Sequence, residues 1–222
     1  MKRLRILPQP GLADDRMAAM TPTAPTPPES LPPVVIVHGI FRGQRLMRRL
    51  REAFQRAGRR ALTPEMIPNN GSVSINQLAI QLGGYLEANL APGEQCDLIG
   101  HSLGGVVART YVQRHGGRAR VRRLVTLAAP HHGTVLAWLL PGQAVRELRP
   151  GSAFLRDLAS DEQQLAGVHV ASYWTPFDAI IVPPRSSEIS VGRNVRVNLL
   201  HHQGLVTSPR MARELVKLLG ES

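Results

Sequence analysis

At 222 residues with 43% hydrophobic residues, the chain suits one domain with a single substantial core and needs no disulfide or metal staple. The lone cysteine, Cys96, excludes an internal disulfide framework, and no run of about 20 apolar residues is present to span a membrane. The net charge of +11 raises the question of nucleic acid, but the basic residues, all Arg except Lys2 and Lys217, are dispersed, and at 4% aromatics there is no stacking platform.

Residues 1–32 are set apart as a Pro-rich tail, because 8 of the 18 prolines fall before Val34 and alternate with Thr, Ala, Glu and Ser. Lys2, Arg3 and Arg5 open it as a signal peptide would, yet Pro8, Pro10, Asp14 and Asp15 interrupt any apolar h-region. The expected location is therefore the cytoplasm, with Met17 or Met20 as alternative start residues. The remaining residues, 33–222, form the expected domain.

Val34-Val35-Ile36-Val37 is a continuous β-branched run and predicts a strand buried on both faces, ending at His38-Gly39. Leu46, Met47, Leu50, Ala53, Phe54 and Ala57 share one helical face, and Gly58 stops that helix. The arginines of this region (Arg42, Arg45, Arg48, Arg49, Arg51, Arg56, Arg59 and Arg60) read as its solvated face and exit. A short strand at 60–62 follows. Ser74 and Gln77 make a capping-box pattern ahead of a helix carrying Ile75, Leu78, Leu82, Leu86 and Leu90.

From Cys96 to Ala108 the chain reads strand, sharp turn, helix, with Gly100, Ser102 and Gly104 in a G-x-S-x-G pattern. A serine at such a corner is held in a strained conformation with its hydroxyl pushed outward. The flanking glycines are needed because a Cβ would strike the neighbouring strand or helix. The helix that starts there aims its free N–H groups at the space beside the hydroxyl, where negative charge develops in acyl transfer. Ser102 is accordingly the candidate nucleophile.

A strand at 121–127 ends in Ala128-Ala129-Pro130-His131-His132-Gly133. Residues 134–165, cut by Pro141, Gly142, Pro150 and Gly151, are expected to form a small cap-like insertion whose apolar piece runs from Val135 to Leu140. Strands are predicted at 168–174 and 195–199, and Ser208-Pro209 starts a closing helix with Met211, Leu215, Leu218 and Leu219 inward. Alternating strands and helices predict an α/β fold, a mainly parallel sheet covered by helices on both faces. Its ligands belong at the carboxyl ends of the strands.

A serine needs a base in contact with it and an acid to orient that base. Asp178 directly follows the 168–174 strand and is the favoured acid, with Glu188 as fallback. His201 and His202 are the candidate bases, and spacing does not separate them. Adjacent histidines at 131–132 and 201–202 lack a third ligand in any metal-binding pattern, so no metal is expected. No phosphate-cradling or dinucleotide glycine motif occurs, so no cofactor is expected.

His38-Gly39-Ile40, Gly100-His101-Ser102-Leu103-Gly104-Gly105, Thr126 to Thr134 and Thr175 to Pro183 together resemble the bacterial triacylglycerol lipase and lipase-like esterase family of α/β-hydrolases. The resemblance spans roughly 33–219 and implies the triad order Ser102, Asp178, His202. His202-Gln203-Gly204-Leu205 is similar to the family's H-x-G-L segment and favours His202 over His201. The resemblance also implies an oxyanion hole from the backbone N–H groups of Ile40 and Leu103, with Phe41 as the alternative to Ile40. With only the Pro-rich stretch before Val34, the small version of the fold is expected, and the 175–194 crossover is too short and Pro-broken for a full helix.

The expected activity is that of a serine ester hydrolase on acyl esters or lipids, with a lipid surface as a peripheral contact and nucleic acid excluded. Phe41, Trp138, Leu139, Ile180 and Leu205 are expected to wall an acyl groove, giving a medium-chain optimum. The competing expectation is that the 134–165 residues merely cover the sheet. Thioesterase, amidase and acyltransferase chemistry use the same machinery, and a non-catalytic binding protein on this fold would be favoured only by an incomplete triad.

Overall fold

The computed structural model describes residues 31–220. The expected tail at 1–32 lies outside the described residues except for its last two positions. The strands are β1 (Val34–Val37), β2 (Ala61–Leu62), β3 (Cys96–His101), β4 (Val121–Leu127), β5 (His169–Trp174) and β6 (Arg193–Arg196). The helices are α1 (Gly43–Arg56), α2 (Ile75–Asn89), α3 (Leu103–Arg114), α4 (Gly117–Arg120), α5 (Gln143–Glu147), α6 (Ala153–Ser160), α7 (Gly204–Thr207) and α8 (Pro209–Gly220).

All strand pairs are parallel, in the order β2-β1-β3-β4-β5-β6. The chain steps from β1 out to β2, crosses back to β3 on the far side of β1, and then runs in one direction to β6. That reversal opens a crevice at the carboxyl ends of β1 and β3, the place where such sheets bind ligands. His38-Gly39-Ile40 and Ser102 sit there.

Strand alternation divides the core into two layers. Val35 and Val37 of β1 face one cluster with Leu78, Leu82, Val106 and Val107 of α2 and α3. Val34 and Ile36 face the other, with Met47, Leu50 and Phe54 of α1 and Met211, Leu215 and Leu219 of α8. The capping box at Ser74 forms as expected, its hydroxyl accepting from the Gln77 N–H while Gln77 accepts from the Ser74 N–H.

Charged residues are also built into the interior. Asp97 of β3 is fully buried and accepts from Arg59 at 2.8 Å and from Arg122 at 3.0 Å. Arg59 also donates to the Leu219 carbonyl at 2.7 Å, so it ties the end of α8 to the start of β3. This corrects the sequence expectation: Arg59 is an interior anchor, not part of the solvated arginine face. Arg109 of α3 is likewise buried, donating to Glu162 at 2.8 Å, to Gln113 at 2.6 Å and to the Leu158 carbonyl at 3.0 Å.

Two further expectations change. The last strand is 193–196 rather than 195–199, because β6 is an edge strand whose ladder with β5 begins at Arg193, while Val195, Val197 and Leu199 only half-bury. The 134–165 segment is not one cap. Ala137, Val145, Leu148, Leu155, Leu158 and Leu165 join the α2–α3 core, while Val135, Trp138, Leu139 and Leu140 are exposed. The β5–β6 crossover carries a single 3-10 turn, Pro184–Ser187.

Candidate active site

Ser102 follows β3 directly, with φ 54° and ψ −128°, a conformation most residues avoid. Its N–H donates to the Leu127 carbonyl at 2.9 Å, which locks the corner onto β4. A Cβ on Gly100 would strike the Gly104 carbonyl, and one on Gly104 would strike the His38 carbonyl. Only glycine lets α3 lie this close to β1 and β3. The Ser102 hydroxyl has no hydrogen-bond partner among the described residues and opens onto a cavity that it shares with His202.

His202 donates from Nδ1 to Asp178 Oδ2 at 2.7 Å, and both side chains are buried. That bond leaves Nε2 as the basic nitrogen. The other oxygen, Oδ1, accepts the N–H groups of Ile180 at 2.8 Å and Ile181 at 2.9 Å. Burial works to raise the Asp178 carboxyl, but the hydrogen bond and charge of His202, together with the Ile181 and Ile180 N–H groups, outweigh it. The carboxyl is held below its ordinary range. His201 points to solvent, and Glu188 pairs with Arg185 at 3.2 Å away from the cavity.

His101 packs beside His202. Burial, reinforced by His202, lowers its pKa to about 3, so it is neutral. Its Nε2–H reaches toward the His202 carbonyl oxygen at 3.5 Å.

The candidate backbone donors differ in their partners. Phe41 N–H already donates to the Asn69 carbonyl at 2.8 Å, whereas the Ile40 and Leu103 N–H groups have no acceptor among the described residues. His38 shapes this loop, donating from Nδ1 to the Gly39 carbonyl at 2.8 Å and accepting the Met66 N–H at Nε2 at 3.0 Å. The sequence marked His38 as a strand end without showing this bracing role.

Two cavities meet at Ser102. One, of about 310 Å³, is lined by Gly39, Phe41, Arg42, His101, His202 and Gln203. The other, of about 130 Å³, is apolar and lined by Leu103, Pro130, Leu136, Ala137, Val145 and Leu148. Ile40, Leu140 and Ile180 border both. A larger groove of about 600 Å³ between α1 and α8 includes none of Ser102, His202 and Asp178.

Of the residues expected to contact substrate, Phe41 and Ile180 line the first cavity. Trp138 and Leu139 do not line either one: the 3-10 turn Val135–Trp138 turns Leu136 and Ala137 inward, leaving Trp138 60% and Leu139 76% exposed. Trp138 instead lies under Arg149 at 4.4 Å. Leu205 is fully buried against α1 and α8 and lines neither cavity. Sequence reading placed Leu136 and Leu140 in the apolar piece without separating them from Trp138 and Leu139, and it did not single out Ala137, Val145 or Leu148, because exposed and inward apolar residues look alike in a broken segment.

His131 is buried, and its Nε2–H donates to Thr126, whose hydroxyl donates to Ser172, which donates to the Ser187 carbonyl. This chain braces the ends of β4 and β5. Among the described residues, no group of three or more His, Cys, Asp or Glu is arranged to hold a metal.

Comparison with known proteins agrees with this architecture. In solved structures the chain is similar to the mature Bacillus licheniformis lipase BlEst2 (17% identity, TM-score 0.72, 89% of this chain and 95% of that one). It is also similar to Aspergillus fumigatus lipase B (17%, 0.72, 86% and 53%) and to a pyrethroid hydrolase from Sphingobium faniae JZ-2 (16%, 0.60, 86% and 98%). These likenesses show the α/β-hydrolase fold. No curated protein matches the sequence. The sequence model of the family described as Palmitoyl protein thioesterase matches residues 33–188, which takes in Ser102 and Asp178 and stops short of His202. Since that match spans well over half of the chain, the protein belongs to the palmitoyl protein thioesterase family.

Proposed function

We propose that the protein is a serine ester hydrolase that cleaves acyl esters, lipid esters among them, through an acyl-enzyme on Ser102. The observation that carries this reading is the buried His202–Asp178 pair at 2.7 Å, facing the cavity onto which the strained Ser102 opens. His202 Nε2 takes the Ser102 proton as Oγ attacks the ester carbonyl carbon. Asp178 fixes the ring and stabilises the imidazolium that forms. The carbonyl oxygen gains the negative charge and is received by the Ile40 and Leu103 N–H groups at the positive end of α3.

Collapse of this intermediate breaks the bond to the alcohol, which leaves with the proton from His202. Water then enters, gives a proton to His202, and attacks the acyl carbonyl; Ser102 departs and recovers that proton, releasing the acid. No step calls for a cofactor.

A thioester is served by the same groups, and the family description names one. The test is steady-state hydrolysis of a matched ester and thioester with the same acyl group. Turnover of the ester that is abolished in Ser102→Ala supports the reading. Turnover of the thioester alone would move the activity to thioesters, and turnover of neither would contradict it.

A further inference from the structure

Exposed large hydrophobic side chains gather at one end of the molecule. Among the described residues there are eleven, and nine of them lie in segments that leave the carboxyl end of a strand; Leu31, ahead of β1, and Ile80, in α2, are the others. Because every strand pair is parallel, those segments share the end of the sheet at which Ser102 lies. Phe41, Leu140 and Ile180 border the Ser102 cavity. Outside it stand Trp138, Leu139 at 76% exposure, Phe177 and Leu200 at 82%.

These segments are tied to one another. The Thr134 hydroxyl donates to the Ile180 carbonyl at 2.8 Å, the Val135 N–H donates to the Val182 carbonyl at 2.9 Å, and the Thr175 hydroxyl donates to the Leu199 carbonyl. The apolar groups are thus presented together around the cavity mouth, and a patch of that kind marks a docking face.

The same end is cationic. Arg42 lines the cavity and Arg45 stands in the first turn of α1, both exposed and neither paired with a carboxylate among the described residues. Arg149 lies over the Trp138 ring at 4.4 Å. Carboxylates here are mostly engaged: Asp178 by His202, Glu147 by the Ile75 N–H and Glu188 by Arg185, while Glu65 stays exposed at 3.8 Å from His38.

We infer that this face docks on an anionic lipid surface, with Leu139, Phe177 and Leu200 entering the headgroup layer and Arg42 and Arg45 meeting its phosphates. Apolar side chains alone would equally suit a protein; the guanidiniums set among them select phosphate-bearing headgroups, and the Ser102 cavity opens through the face that the lipid covers. That the surface also delivers substrate rests on the ester hydrolase reading of Ser102, whereas the docking itself does not.

The test is co-sedimentation of the full chain carrying Ser102→Ala with vesicles of phosphatidylcholine alone or with about 30% phosphatidylserine. Partition should be at least about tenfold stronger onto the anionic vesicles, and tryptophan emission should shift to shorter wavelength there, since Trp138 is exposed and Trp174 is buried. Leu139→Ser with Leu200→Ser should weaken binding about tenfold. Arg42→Gln with Arg45→Gln should also weaken it about tenfold, whereas Arg56→Gln with Arg118→Gln, which removes the same charge at the amino end of the sheet, should change it less than about twofold.

Equal loss in the two arginine pairs would mean attraction by net charge alone and would overturn the assignment of the face. Equal partition onto both vesicles, or none, would overturn the anionic surface, as would a dimer in light scattering that Leu139→Ser with Leu200→Ser dissolves while vesicle binding is absent. The hydrolase reading is scored separately, by turnover of p-nitrophenyl acetate in the protein that retains Ser102. Leu139→Ser with Leu200→Ser should leave that turnover within about twofold, because neither residue lines a cavity at Ser102.

Discussion

The ring centroid of His101 lies 4.6 Å from that of His202, with the two planes tilted by 47°. A neutral, buried imidazole thus backs the proposed base and fills the space into which its loop would otherwise relax. His101→Ala should lower kcat by about tenfold and leave KM nearly unchanged, since the Ser102–His202 geometry is disturbed while the substrate cavities keep their other walls. His101→Asn or His101→Gln should recover part of the loss. A variant with normal kcat would show that the packing does not position His202.

The residues of the proposed triad should differ sharply from their neighbours. Ser102→Ala and His202→Ala are each expected to lower kcat by several orders of magnitude, and Asp178→Asn by about 10⁴-fold through the wrong His202 tautomer. His201→Ala should change kcat less than threefold, because His201 faces solvent. A dead His201→Ala beside an active His202→Ala would reverse the assignment of the base.

Most residues of the proposed site stand out in the sequence because their chemistry is local. The G-x-S-x-G corner, the aspartate after β5 and the histidine after β6 each follow a strand, and a parallel sheet brings such positions together at one end. The choice between His201 and His202 was not legible from spacing; the H-x-G-L resemblance favoured His202, and it is His202 that bonds Asp178. The cavity walls were less legible still, since Leu136 and Leu139 have the same side chain and only the 3-10 turn says which one faces inward. Arg59 and Arg109 were invisible for a related reason: their partners Asp97 and Glu162 lie 38 and 53 residues away.

Stability should fall on acidification in a defined direction. Burial lowers the pKa of His101 to about 3, and burial with the charge of Arg109 holds His131 well below its ordinary value. Both are neutral when folded and take up protons when unfolded below about pH 6.5, so the unfolded chain binds more protons there. Folding stability should be full above about pH 6.5 and decline below it, by up to about 1.4 kcal/mol per pH unit for each histidine. Asp178, held low, adds loss of the same sign at still lower pH. Urea midpoints at about pH 7 and about pH 5 check this, and equal midpoints would contradict it.

The Arg59–Asp97 pair should matter to stability and not to chemistry. Asp97→Ala leaves Arg59 buried without its carboxylate and should cost about 3–5 kcal/mol, a Tm loss on the order of 10 °C. Turnover per folded molecule should stay within twofold, because Asp97 lies at the amino end of β3 and Ser102 beyond its other end. Calorimetry with active-site titration separates the two effects.

The central claim, that Ser102 is a nucleophile activated by His202, is tested most directly by covalent labelling with a fluorophosphonate and mapping of the labelled peptide. The label should fall on Ser102 alone, disappear in Ser102→Ala and form at least a hundredfold more slowly in His202→Ala. Folded protein that takes up no label, or takes it up at another serine, would contradict the account.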